Sequence, residues 1–165
     1  MTAIFPFLFS YPTGNAFLNI SSDNRVHIWD TVSKKCNKLI DKNHLAHQFT
    51  CFAWNYSKSS LCVGFSDGII IVWDLSRGVV TKTIGDNNSD SPSSIVYSND
   101  SNSIFVSSLS LNYVSQFCLK TGSLLKTIAI GKKGVMKMII NPIVDILAIS
   151  RYILIFIDYF CNIIS

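Results

Sequence analysis

The chain repeats itself at a spacing of 44 residues, and that period limits what it can fold into. The run Trp73-Asp74-Leu75-Ser76-Arg77-Gly78-Val79-Val80-Thr81-Lys82-Thr83-Ile84 returns 44 residues later as Phe117-Cys118-Leu119-Lys120-Thr121-Gly122-Ser123-Leu124-Leu125-Lys126-Thr127-Ile128, with five identical positions that include the turn glycine. Stepping back 44 residues lands on Trp29-Asp30, with Lys38 and Ile40 under Lys82 and Ile84. A shorter copy ends at Phe156, 39 residues beyond Phe117. Self-similarity on this scale means one supersecondary unit stacked several times, because a single unit cannot bury its own apolar face.

Each unit reads as short strands joined by turns. Hydrophobic residues make up 48% of the chain and charged residues 15%, which excludes a disordered or coiled-coil chain. The apolar residues are rich in Ile, Val and Phe, with Ser and Asn frequent between the runs, a mixture that favours strands over helices. Ser66-Asp67-Gly68 predicts a tight hairpin turn before the strand that ends at Trp73, in the type I′ form with positive φ at both central residues. Strands are predicted at 26–30, 50–55, 61–65, 69–74, 94–97, 103–107, 114–119, 135–140, 146–149 and 152–157. Trp54 is expected in a sheet interior.

Units of about 40–45 residues with four strands and a Trp-Asp mark resemble the WD repeat. Trp29-Asp30 and Trp73-Asp74 are the dipeptide itself, Asn43-His44 stands where that family has Gly-His, and Asp23 and Asp67 each precede their Trp by six residues. The resemblance implies an all-β fold, a WD40-type β-propeller, incomplete at about three and a half four-stranded blades. It would span 1–158, with 159–165 as a non-repeat tail. The structural positions it carries over are Asp23, Trp29, Asp30, His44, Asp67, Trp73 and Asp74. In such repeats Asp, His, a strand Ser or Thr, and Trp form a hydrogen-bonded tetrad. Here Val63 stands at the Ser/Thr position, and the third unit has Leu111 for the turn Asp and Phe117 for Trp, so these units are expected to lean on packing rather than on buried polar networks. An incomplete ring would expose apolar faces, so the isolated chain is expected to need further blades.

Other motifs weigh less. Gly64-Phe65-Ser66-Asp67-Gly68 matches G-x-S-x-G, but the nucleophile elbow needs a strand-to-helix turn, and Ile69-Ile70-Ile71-Val72 opens a strand. His44 and His47, even with Cys51, lack the second ligand pair of a zinc site, so no metal and no cofactor are expected. Cys36, Cys51, Cys62, Cys118 and Cys161 form no C-x-x-C, and Cys51, Cys62 and Cys118 are expected to act as small hydrophobes in a reducing compartment. The apolar stretch 143–164 raises a membrane helix. Asp145, Arg151 and Asp158 and the repeat phase speak for strands instead. No signal peptide and no membrane are expected. Net charge is +4, and Lys34-Lys35 and Lys132-Lys133 are the adjacent basic pairs, read as solvated loop residues.

Finer detail resembles the N-terminal propeller of the WD repeat-containing protein 43 family, nucleolar subunits of the small-subunit processome. It rests on a first unit that begins almost at Met1 (Phe9-Ser10, Phe17-Leu18, Ser22 to Thr31), on His44-Leu45 followed by Thr50-Cys51-Phe52-Ala53-Trp54, and on the bare turn Ala148 to Tyr152. The resemblance implies a non-catalytic scaffold for pre-ribosomal RNA transcription and early small-subunit RNA processing in the nucleus and nucleolus. Its partners would be the protein subunits of a multi-subunit complex, with indirect or weak contact to pre-ribosomal RNA at most, through Lys132 and Lys133. No small-molecule substrate is expected. That family's further blades and helical C-terminal domain are not expected within these 165 residues. The competing expectation is a general WD40 adaptor, such as a ubiquitin-ligase substrate receptor or a coat subunit.

Overall fold

Short links between β-rich runs leave each strand no nearer partner than the one before it, so pairing follows chain order. The computed structural model describes residues 7–10, 16–20, 26–40, 48–55, 57–85, 90–132, 134–141, 143, 146–150 and 159–162. Among them there is no helix, and the strands form antiparallel sheets in meander order. The first sheet contains β1 (Phe7–Ser10), β2 (Ala16–Ile20), β3 (Val26–Asp30) and β4 (Cys36–Ile40). The second contains β5 (Phe49–Asn55), β6 (Ser60–Phe65), β7 (Ile70–Asp74) and β8 (Val79–Ile84). The third contains β9 (Pro92–Tyr97), β10 (Ser103–Ser108), β11 (Tyr113–Cys118) and β12 (Leu124–Ala129). The fourth contains β13 (Lys137–Ile140), β14 (Ile146–Ser150) and β15 (Tyr159–Asn162). The first sheet belongs to one unit, Met1–Gln48, and the other three to a second, Phe49–Ser165.

The sequence period is also a period of backbone geometry. The register shifts by a bulge at Ile28/Trp29, at Val72/Trp73 and at Gln116/Phe117, so that Trp29 faces Cys36, Trp73 faces Val80 and Phe117 faces Leu124. The turn after each bulge holds one left-handed residue at the same repeat position: Lys34 (φ 55°), Gly78 (φ 70°) and Gly122 (φ 80°). Glycine adopts that region without Cβ strain, and the first repeat does so with a lysine.

In the first unit Phe17 lies opposite Trp29 in the register, and their rings stack with centroids 6.1 Å apart. In the second unit alternate side chains of the Ile- and Val-rich strands point to opposite faces, and the sheets stack through them. Cys51, Ala53, Cys62, Ile70, Val72 and Ile84 of the second sheet pack on Ile95, Tyr97 and Ile104 of the third. The other face of the third sheet, with Phe105 and Val114, packs with Ile130 and Val135 on Met138, Leu147 and Ile149 of the fourth. Hydrogen bonds cross both seams. The Lys58 ammonium donates to the Ser101 carbonyl (2.8 Å) and to Asn102 Oδ1 (3.1 Å). The Ser93 hydroxyl donates to the Val135 carbonyl (2.5 Å), Met138 N–H donates to Ser94 Oγ (3.0 Å), and Asn99 Nδ2 donates to the Asn141 carbonyl (2.8 Å). Meander sheets stacked face to face in this way are compatible with blades of a β-propeller.

Several sequence expectations change. The turn at Asp67-Gly68 is not type I′. Gly68 N–H donates to the Phe65 carbonyl (3.0 Å), Phe65 N–H donates to the Ile69 carbonyl (2.9 Å), and of the two central residues only Gly68 has positive φ, 86°. Asp67 keeps negative φ and accepts Ile69 N–H on its carboxylate (3.1 Å), giving a three-residue loop closed by a left-handed glycine. The strand expected at 152–157 lies outside the described residues. The strand that pairs with β14 is β15, within the segment read as a tail. Trp54 is half-buried.

Candidate functional site

The Trp-Asp aspartates act on their own turns. Asp30 Oδ1 accepts the N–H groups of Val32 (2.9 Å) and Ser33 (2.6 Å). Asp74 Oδ1 accepts the Ser76 hydroxyl (2.5 Å), Ser76 N–H (2.8 Å) and Arg77 N–H (3.1 Å). The Ser76 hydroxyl first, then the Arg77 N–H, hold the Asp74 carboxyl below the usual carboxylate value. In the third sheet the same position is Cys118. Hydrogen bonds from the Thr121 hydroxyl, and then from the backbone N–H groups of Thr121 and Lys120, hold its thiol below the usual thiol value. Cys118 is half-buried, where Cys51 and Cys62 are buried. Cys51 and Cys62 are buried as expected, and desolvation pushes each thiol up to about 12. Cys62 Sγ donates to the Tyr97 hydroxyl (3.1 Å), and burial raises that phenol above its usual value.

Behind the turns the second and third sheets differ. Trp73 is 3% exposed and Val63 1%, so the interior around the Trp position of the second sheet is filled by apolar packing. Asp67 is half-buried in the hairpin. His44, the residue expected beside it, lies outside the described residues, as does Asp23. In the third sheet Phe117 and Leu111, the counterparts of Trp73 and Asp67, line a cleft of about 360 Å³ between the second and third sheets. Ile84, Tyr113 and Leu124 add apolar wall, Ser107, Ser108, Ser115 and Thr127 are polar points, and among the described residues Asp90 is the one charged lining residue. Ser110 Oγ donates to Asp90 Oδ1 (2.5 Å). A wider cleft of about 610 Å³ runs along β5, β9 and β13, past Trp54, Asn55 and Lys137. Sequence reasoning noted Leu111 and Phe117 as departures from the repeat but did not draw a cavity from them.

The serine-elbow geometry is absent. Ser66 sits on a strand-to-strand hairpin, and a Cβ added at Gly64 would come within 2.5 Å of Pro92 Cγ, so this glycine serves packing between sheets. Among the described residues no three His, Cys, Asp or Glu side chains are placed to hold a metal ion; His44 and His47 lie outside them. No helix among the described residues is long and apolar enough to cross a membrane, and β14 and β15 occupy part of the apolar stretch that raised one. Lys132 is exposed, and Lys133 lies outside the described residues.

These sheets define an all-β chain of repeated antiparallel meanders. No family model and no curated protein sequence matches it. Among solved structures, a chain of Kuenenia stuttgartiensis hydrazine synthase is similar over 87% of this chain, with a TM-score of 0.72 and 20% sequence identity. The match covers 41% of that chain, so this one spans less than half the length of its neighbour. At such identity the likeness concerns the fold alone.

Proposed function

We propose that the chain is a non-catalytic scaffold of the WD type, an incomplete β-propeller of about three and a half blades that binds proteins through blade-face loops and sheet edges. The observation that carries this is the recurrence of one bulged turn at Trp29, Trp73 and Phe117, capped in the first two by Asp30 and Asp74. A repeat that holds both in sequence and in register supports a stacked-blade reading, in which the surface is a row of similar loops. The structural positions Asp23, Trp29, Asp30, His44, Asp67, Trp73 and Asp74 serve the blades rather than any chemistry. The resemblance to the WD repeat-containing protein 43 family, from the first unit to about Asp158, supports a place in nucleolar small-subunit assembly, in pre-ribosomal RNA transcription and early processing.

Affinity purification of the tagged chain, together with its localisation, tests this. Nucleolar staining and recovery of pre-ribosomal small-subunit proteins are the expected results. Cytoplasmic vesicle staining with coat proteins, or recovery of ubiquitin-ligase subunits, would replace the nucleolar assignment by an adaptor role. Loss of an esterase activity in Ser66→Ala would contradict the non-catalytic assignment itself.

A further inference from the structure

We propose that the cleft between the second and third sheets docks a bulky apolar side chain, followed by a lysine or arginine, from an extended segment of a protein partner. The proposal rests on the scaffold function above and names the chemistry of one partner surface.

The cleft lies where the third repeat departs from the second. Leu111 stands 44 residues after Asp67 and Phe117 stands 44 residues after Trp73, and both line the opening. Phenylalanine fills less space than an indole and offers no N–H, and leucine offers no turn carboxylate. The site combines apolar walls with hydroxyl groups of Ser107, Ser108, Ser115 and Thr127, in about 360 Å³, at the lower end of the roughly 300–1,000 Å³ of ligand pockets. That size suits a phenyl or isobutyl group with the backbone on either side of it.

Two observations favour an extended peptide over a small molecule. The cleft opens beside β12, the end strand of its sheet, and Leu124 of β12 is one of its walls. Leu124 and its neighbour Leu125 are 52% and 55% exposed, so the apolar surface continues beyond the opening. A chain laid along that edge covers both leucines while its anchor side chain enters the cleft. The charge of the neighbouring residue follows from Asp90. It is exposed, its carboxylate is oriented by the Ser110 hydroxyl, and the rest of the lining among the described residues is uncharged. A cation next to the anchor meets that carboxylate, and an acidic residue there is repelled.

The test is fluorescence anisotropy of the full chain with labelled octapeptides bearing a central Phe-Lys, Ala-Lys or Phe-Glu pair. The Phe-Lys peptide is expected to bind about tenfold or more tightly than Ala-Lys, as burial of one large apolar side chain implies, and more tightly than Phe-Glu. Phe117→Trp fills the cleft with the repeat's own aromatic and should lower Phe-Lys affinity about tenfold with an unchanged far-ultraviolet circular dichroism spectrum. Leu111→Phe narrows the mouth and serves if Phe117→Trp does not fold. Asp90→Asn should abolish the preference for Lys over Glu. Equal affinity for the three peptides, or equal Phe-Lys binding by wild type and a folded cleft-filled variant, would overturn the proposal. Capture of assembly partners by the same variants separates the two ideas. Intact capture with no peptide binding at this cleft removes only the cleft, and peptide binding without the assembly removes only the assembly.

Discussion

The second and third sheets have the same backbone and different interiors. Both bulge at the aromatic position, and both turn through a left-handed glycine. The residue after the aromatic is a carboxylate that accepts the turn's N–H groups in one and a cysteine in the other, and the turn is formed in both. Turn geometry therefore follows from register and from the glycine, with the Trp-Asp pair as one of several chemistries that fit. Behind the turn the substitutions are not neutral. Trp73 is enclosed, and Phe117 stands at the wall of an open cleft. A repeat can thus keep its shape while one copy loses the filling that makes it purely structural, and the space left becomes available for binding.

The largest expected effect lies in that contrast. Trp73→Ala should destabilise the chain by about 3–5 kcal/mol, as truncation of a buried aromatic does, and Phe117→Ala by less than half as much, both measured by urea denaturation. Equal losses would break the comparison. A second effect separates the thiols. Below pH 9 both folded and unfolded chains hold the protons of Cys51 and Cys62. Above it the unfolded chain releases them, while the folded chain keeps them until about 12. Stability should therefore fall as pH rises through this window, by about 1.4 kcal/mol per pH unit for each thiol. Cys51→Ala combined with Cys62→Ala should flatten the dependence, and an unchanged slope would contradict the burial. Next, Gly78→Ala and Gly122→Ala should each cost about 1–2 kcal/mol through left-handed strain, alike if the two turns are equivalent, and Lys34→Gly should stabilise its own turn. The smallest effect concerns Cys118. Its alkylation by iodoacetamide should have a midpoint below that of an ordinary thiol, while Cys51 and Cys62 stay protected, and Cys118→Asp should preserve the turn.

Much of this was legible in the sequence because the period fixes which residues share a position. The expected strand at Val26–Asp30 coincides with β3, and those around Leu61, Ser103 and Ile146 differ from the observed strands by a residue or so at their ends. The outer strands β8 and β12 carry no such signal. Their residues are mostly exposed, and Val79-Val80 and Leu124-Leu125 do not alternate with polar residues, so neither pattern nor burial marks them. The form of the Asp67 turn was also hidden. Asp-Gly suits more than one hairpin loop, and the choice depends on whether the aspartate's own carboxylate takes the next strand's N–H. The cleft could be read only as missing residues, Leu111 and Phe117, since a cavity depends on how far two sheets close over a lost side chain.

The third sheet keeps the repeat's backbone beside an open cleft at the Phe117 position, and thermal unfolding of Phe117→Trp tests this. If the cleft is open, the indole fits without displacing its neighbours. The midpoint temperature should then hold or rise, and the fluorescence of the new tryptophan, read in a Trp29→Phe, Trp54→Phe, Trp73→Phe background, should be blue-shifted by its apolar surroundings. If the interior is already closed, the extra ring overpacks it at a cost of about 1–3 kcal/mol. A lowered midpoint with solvent-exposed emission would contradict the account.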